Sequence, residues 1–205
     1  MAEALTYDSL LKDIQNYAER TDEPFITQIP RLIMLAENRI ASEVRGLGFI
    51  RPVNFSLAVN DPSVKKPSRW RETVSVFINT ENGPYYLFPR SYEYCRAFSN
   101  EQGLPQFYAD YNYEHFFFSP SPDEAYTGEL IYHERPEPLT ETNQTNWTTR
   151  YAPQLLLYAT LLEAQPFLKR TDRMQEFAQL YERAANGIKQ ENGSRKTDSS
   201  MRSKK

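Results

Sequence analysis

Two periodicities of apolar residues divide the chain into helical and strand-forming segments. Apolar residues recur every three or four positions over residues 7–44 and 147–188, whereas they alternate with polar ones over much of residues 49–135. The first period is typical of amphipathic helices and the second of half-buried strands. The pattern therefore predicts helices at both ends of the chain and a β-rich segment between them.

The longest apolar segment, residues 147–169, predicts one core helix. Tyr151, Leu155 and Leu162 lie at helical spacing, and further leucines widen the apolar stripe beyond one face, as in a helix buried on several sides. Pro153 suits a first helical turn, and Pro166 marks the end of the helix or a kink. We expect the other helices to pack around this one.

Three further helices follow from the same spacing. One begins at Thr6 or Asp8. A second begins near Pro24 or Phe25 and is ended by Gly46 and Gly48. A last one begins at Asp172 and ends near Ile188. The short link between the first two predicts an antiparallel hairpin. The predicted core of the bundle is Leu10, Ile14, Ile33, Ile40, Trp147, Tyr151, Leu155, Leu162, Phe177 and Tyr181.

The middle of the chain predicts a small antiparallel β-unit. Turn-forming Pro, Gly, Asn and Asp residues separate its strand-like runs. The turn at Glu81–Pro84 predicts one hairpin and Tyr111–Glu114 another, and Ser91–Phe98 fits a short helix. The predicted strands are Val53–Val59, Glu72–Asn79, Tyr85–Phe88, Gln106–Tyr111, His115–Ser119 and Gly128–His133.

These segments predict an α+β fold, in which a helical bundle carries an inserted β-unit. We assign residues 1–48 to an N-terminal helical hairpin, 49–146 to the β-rich insertion and 147–188 to two C-terminal helices. Residues 189–205 remain as an extended basic arm, because their composition cannot bury enough apolar area to form a core.

Composition indicates a soluble globular protein, with 40% hydrophobic and 25% charged residues in a chain of 205. The 14 Tyr and 12 Phe residues fit either extended contact with partner proteins or aromatic-rich strands.

The single cysteine, Cys95, excludes an intrachain disulfide and fits a reducing compartment. The N-terminus has no secretory signal pattern, so we expect the protein to be made in the cytoplasm. No segment has the length and continuous hydrophobicity expected of a membrane span.

Charge is distributed unevenly between the arm and the rest of the chain. Residues 193–205 contain five basic side chains and one acidic one, a net charge of +4, so the other residues carry −7 of the total of −3. This contrast predicts an acidic body with a basic arm.

The sequence offers little for catalysis or metal binding. His115 and His133 each follow or precede a glutamate in a strand-like run, without the spacing of a ligand cluster. Cys95 has no histidine or aspartate partner in a motif, and no glycine-rich phosphate loop occurs. We therefore predict no catalytic site, no cofactor and no metal. The acidic residues Glu134, Glu137 and Glu163 are the remaining candidates for a carboxylate-dependent hydrolase.

Several segments resemble the head-to-tail adaptor proteins of tailed bacteriophages. The resemblance rests on Tyr7–Asp22 and Ile29–Ile40 near the N-terminus, and on Thr145–Ala164, Pro166–Lys169 and Gln179–Ala184 in the C-terminal half. Tyr126–Tyr132 in the β-rich segment falls in the same order along the chain. The residues matched most closely are Ile29, Pro30, Ala36, Glu37, Arg39, Trp147, Arg150, Tyr158, Glu163 and Ala164.

The resemblance implies a structural protein and not an enzyme. Such adaptors form a dodecameric ring beneath the portal, at the vertex through which DNA leaves the capsid. The ring lengthens the DNA channel, which DNA crosses without sequence-specific binding, and gives tail or nozzle proteins a place to attach. The implied location is the neck of the virion, after assembly in the host cytoplasm.

We expect three functional surfaces on such a ring. The β insertion would face the tail through Tyr85, Tyr86, Tyr92, Phe107 and Phe116, unless these rings fill the core of the β-unit. The C-terminal arm would dock on portal carboxylates, or on DNA, through Arg195, Lys196, Met201, Arg202, Lys204 and Lys205. The inner wall would be acidic or mixed.

Two rival functions remain at this stage. One is a different virion ring component, such as a tail terminator, portal or nozzle subunit. The other is a small phage hydrolase, which would need a cleft with perturbed acids. A ring component should associate with itself or with the portal, whereas a hydrolase should be a monomer that turns over substrate.

Overall fold

The computed structural model describes residues 5–44, 47–169 and 173–202, and its architecture is α+β as predicted. The chain forms two compact units. The helical unit contains the described residues up to Gly48 and those from Arg135 onward, and the β unit is Phe49–Glu134. None of the described helices is both long and apolar enough to cross a membrane.

The connector at residues 135–146, which the sequence assigned to the β insertion, belongs to the helical unit. Its backbone makes the hydrogen bonds that explain this placement. The Gln144 carbonyl accepts a hydrogen bond from the Tyr7 N–H at 2.9 Å, and the Leu139 N–H donates to the Glu37 carboxylate at 3.3 Å. Leu139 is itself buried.

The first two helices, α1 (Tyr7–Ala18) and α2 (Glu23–Glu43), pack against each other. Thr6 caps α1, because its hydroxyl accepts the Ser9 N–H at 3.2 Å while the Ser9 hydroxyl accepts the Thr6 N–H at 2.8 Å. Pro24 lies in the first turn of α2, where its missing N–H costs no helical hydrogen bond. The buried face of α2 carries Phe25, Ile29, Leu32, Ile33, Ala36, Glu37, Ile40 and Ala41.

The predicted core helix is two helices, α4 (Trp147–Tyr151) and α5 (Pro153–Leu168). The break falls at Ala152, whose backbone (φ −140°, ψ 48°) is not helical. The cause is Pro153, since the proline ring clashes with a helical conformation of the residue before it. Within the helical unit α5 packs against α1, α2, α4 and the last helix, α6 (Met174–Arg202), so it is the central helix that the sequence indicated.

The break also changes which residues form the core. Tyr151 was expected to be buried and is instead 72% exposed. Helix α4 ends at Tyr151, so this side chain does not continue the helical spacing of the buried residues of α5. Trp147 is half-buried. The other eight residues of the predicted core are buried, namely Leu10, Ile14, Ile33, Ile40, Leu155, Leu162, Phe177 and Tyr181.

The last helix, α6 (Met174–Arg202), continues well beyond the expected end near Ile188. The prediction of an extended arm from residue 189 is therefore wrong over residues 189–202. The reasoning from composition considered only whether the segment could form a core. A helix that is already nucleated adds one hydrogen bond per residue without a core of its own, and Lys189, Gln190 and Glu191 have good helix propensity.

The strands of the β unit are β1 (Ile50–Leu57), β2 (Ser63–Lys65), β3 (Trp70–Thr80), β4 (Gly83–Tyr86), β5 (Phe88–Pro89), β6 (Phe107–Asp110), β7 (His115–Ser119) and β8 (Tyr126–Glu134). They form two four-stranded sheets. The first has the strand order β1–β8–β3–β4 and is antiparallel throughout. The second has the order β2–β7–β6–β5, in which only β5 and β6 run parallel.

Both predicted hairpins form, one joining β3 to β4 and the other joining β6 to β7. The predicted short helix is α3 (Tyr92–Ala97), which Ser91 caps by accepting the Tyr94 N–H. Strand β2 was not predicted, since three residues are too few to show an alternation.

Residues from both sheets share one apolar core, so the sheets pack face to face. Gly128 on β8 is required for this packing. A Cβ at that position would lie 2.4 Å from the Phe55 ring and from the Phe77 carbonyl oxygen. The core of the β unit is Leu57, Val76, Ile78, Leu87, Tyr108, Phe116, Phe118, Leu130 and Tyr132.

Candidate functional site

The residues that most often carry out chemistry are dispersed in this chain. Cys95 is buried in α3, where burial raises the pKa of its thiol and so disfavours the nucleophilic thiolate. His115 and His133 are half-buried on β7 and β8. Across the described ranges, no three His, Cys, Asp or Glu side chains are grouped so that they could hold a metal ion. The features that distinguish the surface are aromatic.

Aromatic residues cover the outer face of the β2–β7–β6–β5 sheet because of the alternation along its strands. On β7, Phe116 and Phe118 point into the core between the sheets, so Phe117 points outward. Phe117 packs with Ala109 of β6 and with Cys95 of α3. The short helix α3 therefore lies on the outer face of this sheet, against β6 and β7.

Beyond α3 the aromatic contacts continue to the surface. Phe88 on β5 is paired with Phe107 on β6, and residues paired in this way project from the same face of a sheet. The Phe107 ring meets the Tyr94 ring edge to face at 5.3 Å, and Tyr94 contacts Phe98 at 5.0 Å. We call this set the aromatic face: Tyr86, Phe88, Arg90, Tyr94, Phe98 and Phe107.

Arg90 adds a cation to the aromatic face. Its guanidinium carbon lies 5.7 Å from the centre of the Tyr94 ring and 5.4 Å from that of Phe107. Tyr86, Phe88, Tyr94 and Phe98 are all exposed. A contiguous exposed apolar patch is unusual on a monomeric protein and typically marks an interaction site. Aromatic and arginine side chains are also those that contribute most to protein–protein affinity.

A second aromatic group lies at the turn between β6 and β7. Tyr92 of α3 stacks on Tyr111 at 4.6 Å, and Tyr113 at the tip of the turn is 98% exposed. The Asn112 side chain shapes this turn by accepting the N–H groups of Glu114 and His115, both at 2.8 Å. Tyr113 is thereby held in solvent by an ordered turn.

Lys66 fixes this turn to the rest of the β unit. Its side chain is 3% exposed, forms an ion pair with Asp110 and donates to the Asn112 carbonyl at 2.5 Å. The ammonium nitrogen also lies 3.9 Å from the centre of the Trp70 ring. A buried ammonium group with this many partners is well compensated for its lost hydration. Lys66 therefore orients the turn that presents Tyr111 and Tyr113.

The five residues predicted to face the tail occupy three different environments. Tyr85 and Tyr86 are exposed on β4, while Tyr92 and Phe107 are half-buried beneath the exposed rings. Phe116 is 2% exposed and belongs to the core between the sheets, so its assignment to the surface is wrong. Sequence reasoning missed Phe88 and Phe98. The short parallel pairing of β5 with β6, which places Phe88 beside Phe107, leaves no local sequence signal.

In the helical unit, a buried carboxylate ties α2 to the start of α4. Glu37 is 7% exposed, and its Oε1 accepts a hydrogen bond from the Asn146 side-chain amide at 2.7 Å. Asn146 in turn caps α4 by accepting the Thr148 N–H at 2.9 Å. Burial raises the pKa of Glu37 to about 7, although the hydrogen bonds from Leu139 and Asn146 oppose the rise.

A second polar group joins α2, α5 and α6. Arg39 of α2 pairs with Glu163 of α5 at 2.5 Å, and its guanidinium lies 3.6 Å from Glu43. The Tyr181 hydroxyl of α6 donates to Glu43 at 2.7 Å. Burial and this hydrogen bond raise the pKa of Tyr181. Glu37, Arg39 and Glu163, which carried part of the family resemblance, therefore hold helices together.

The residues predicted to form the basic arm lie at the end of the chain. Arg195, Lys196, Met201 and Arg202 are on the last turns of α6, where the structure describes only the backbone. Lys204 and Lys205 lie outside the described residues. Their contact with a partner stays a prediction.

Comparison with protein families gives a match over nearly the whole chain. The sequence model of the family described as SU10 adaptor protein matches residues 5–204. Comparison with curated proteins finds no match. The family match includes the helical segments and the β unit that carries the aromatic face.

Proposed function

Because the chain belongs to the SU10 adaptor protein family, and so is a phage adaptor, we propose that it forms the ring that joins the portal to the tail or nozzle proteins. Family membership agrees with the resemblance of its helical segments to head-to-tail adaptors. A phage adaptor is a structural protein of the virion neck that contacts other virion proteins. We propose a homo-oligomeric ring, expected to be a dodecamer, which lengthens the channel for DNA during genome ejection.

The observation that carries this proposal is the combination of a full-length family match with a large exposed aromatic face on the β unit. The half-buried Arg39–Glu163 ion pair and the Tyr181–Glu43 hydrogen bond join α2, α5 and α6, which suits the helical unit to a scaffold role. The β unit then offers Tyr94, Phe98 and their neighbours to the next protein along the tail. DNA passes through the ring without base-specific contacts.

Stepwise reconstitution with purified portal rings and the purified tail or nozzle component tests the proposal. We expect the wild-type chain to bind portal rings, and this complex to bind the tail component. Tyr94→Ala and Phe98→Ala should each leave portal binding unchanged and weaken tail binding about tenfold or more, as for central aromatic residues of interfaces.

Tyr17→Ala is the matched control, since Tyr17 is an exposed tyrosine of α1 in the helical unit. It should not weaken tail binding. If Tyr94→Ala abolishes portal binding and leaves tail binding intact, the direction of the ring has been assigned backwards. Failure of the wild-type chain to bind either component would contradict the proposed function.

A further inference from the structure

An open groove of about 580 Å³ lies between α5 and α6 in the helical unit. Its lining includes the half-buried side chains of Tyr158 of α5 and of Leu180 and Ile188 of α6. Tyr151 stands at one end, where the break before Pro153 leaves it largely in solvent. Arg183 is the single charged side chain among the described residues that line the groove.

Gly187 lines the groove and leaves open space there. It lies in the interior of α6, where glycine is less stable than alanine by about 1 kcal/mol. A Cβ at this position would meet no described atom within 4 Å. Crowding within the described residues therefore does not explain a glycine here. A glycine with free space above it is suited to the close approach of another backbone.

The outer face of α2 carries an exposed apolar row. Ile26, Pro30 and Met34 follow one another at four-residue spacing, and all three are exposed, whereas Phe25, Ile29 and Ile33 on the inner face are fully buried. We call Ile26, Pro30 and Met34 the α2 outer row. Such a row forms a ridge along a helix, and ridges of this kind pack into grooves between side chains on other helices.

Charge is complementary as well. Glu23 lies one turn before Ile26 on the same side of α2, and Arg183 lies in the groove. Within the part of the chain that the structure describes, neither side chain takes part in an ion pair. The exposed apolar row, with a carboxylate at one end, therefore matches a groove of mixed polarity that carries one guanidinium.

We propose that the α2 outer row of one copy docks in the α5–α6 groove of the next copy. The inference rests on the proposed ring and names the surfaces that close it. This contact joins two different patches of the same chain, so the arrangement is head to tail. Repeated head-to-tail contacts generate a closed ring when the rotation from one copy to the next adds up to a full turn. An apolar helix face laid in a groove is a common mode of recognition between proteins.

Cysteine cross-linking of the assembled, portal-bound protein tests this contact. We would compare Met34→Cys alone, Ala184→Cys alone, an equal mixture of the two, and the double variant, each after mild oxidation. Ala184 lines the groove, and wild-type protein controls for Cys95, which is buried. The mixture should give disulfide-linked dimers about tenfold above either single variant, and the double variant should give a ladder of larger species.

Three other outcomes of the cross-linking experiment would contradict the proposed contact. Cross-linking within a single variant indicates a symmetric contact of like surfaces and overturns the proposal. Rings that assemble normally but do not cross-link in the mixture place the interface elsewhere and leave the adaptor function standing. If wild-type protein forms no ring with or without portal, the proposed function and this inference both fail.

Filling the groove provides a second test that does not depend on cross-linking. Gly187→Phe should reduce ring assembly about tenfold or more, while circular dichroism stays unchanged because the added ring occupies open space. Asn186→Phe is the control, since Asn186 is the exposed neighbour in the same turn but does not line the groove. Equal assembly of the two variants would overturn the proposal.

Discussion

Replacing Glu37 by glutamine should stabilise the protein above neutral pH and have little effect in mild acid. Glu37 is buried, and burial raises the pKa of its carboxyl group from the usual 4.5 to about 7. The neutral amide of glutamine keeps an oxygen that can accept the hydrogen bonds from Asn146 and Leu139. The substitution therefore removes a buried charge and retains the polar contacts.

The sign of the effect follows from proton binding. Between about pH 4.5 and pH 7 the folded protein holds a proton on Glu37 that the unfolded chain has lost, so the free energy of unfolding falls as pH rises through this window. Below the window the carboxyl group is neutral in both states, and above it the full cost of the buried charge is present. With about 1.4 kcal/mol for each pKa unit, that cost is about 3 kcal/mol.

Urea unfolding at about pH 5 and about pH 8 measures this difference. Trp147, next to the Asn146 that binds Glu37, provides a fluorescence signal in the helical unit. The stability of Glu37→Gln relative to wild type should rise by about 2.5 kcal/mol between the two pH values. Glu23→Gln, at an exposed position of α2, should show no such change. Parallel pH curves for wild type and Glu37→Gln would refute the reasoning.

Four further outcomes are expected. Leu155→Ala should lower the free energy of unfolding by about 2–5 kcal/mol because Leu155 is fully buried, and a loss below about 0.5 kcal/mol in urea unfolding would remove it from the core. Lys66→Ala should cost about 1–3 kcal/mol in the same assay by removing the hydrogen bond to the Asn112 carbonyl and the contact with the Trp70 ring, and the exposed Lys65→Ala should be near neutral. Truncation after Asn192 removes a net charge of +4 and should weaken portal binding in pull-downs, most at low salt. Unchanged binding at two salt concentrations would exclude a portal contact through this segment, and retained portal binding with lost DNA affinity would assign the segment to DNA. A charge map of the assembled ring should show an acidic or mixed inner wall, and a lumen lined mainly by Lys and Arg would contradict this.

The helical unit was largely predictable because its packing follows from local spacing. The apolar positions of α1 and α2 recur at the helical period, and Thr6 has the capping residue Ser9 three positions later. Two of the errors came from treating segments in isolation. Pro153 acts on the residue before it and so splits the core helix, and α6 continues past Ile188 because an existing helix supports its own extension.

The aromatic face was less predictable because it depends on pairing between distant segments. Alternation along β7 shows that Phe116 and Phe117 point in opposite directions, but it does not show which of them faces the core. That choice depends on the second sheet, which packs on Phe116 and Phe118. The pairing of Phe88 with Phe107 has the same origin in tertiary structure.

Electron cryomicroscopy of the neck in intact virions tests the central claim most directly. The account predicts that this chain forms a closed ring between the portal and the first tail or nozzle component, with the aromatic face of the β unit against that component. Finding the chain in a different ring, such as the tail terminator or the nozzle itself, or finding it outside the neck, would contradict the account.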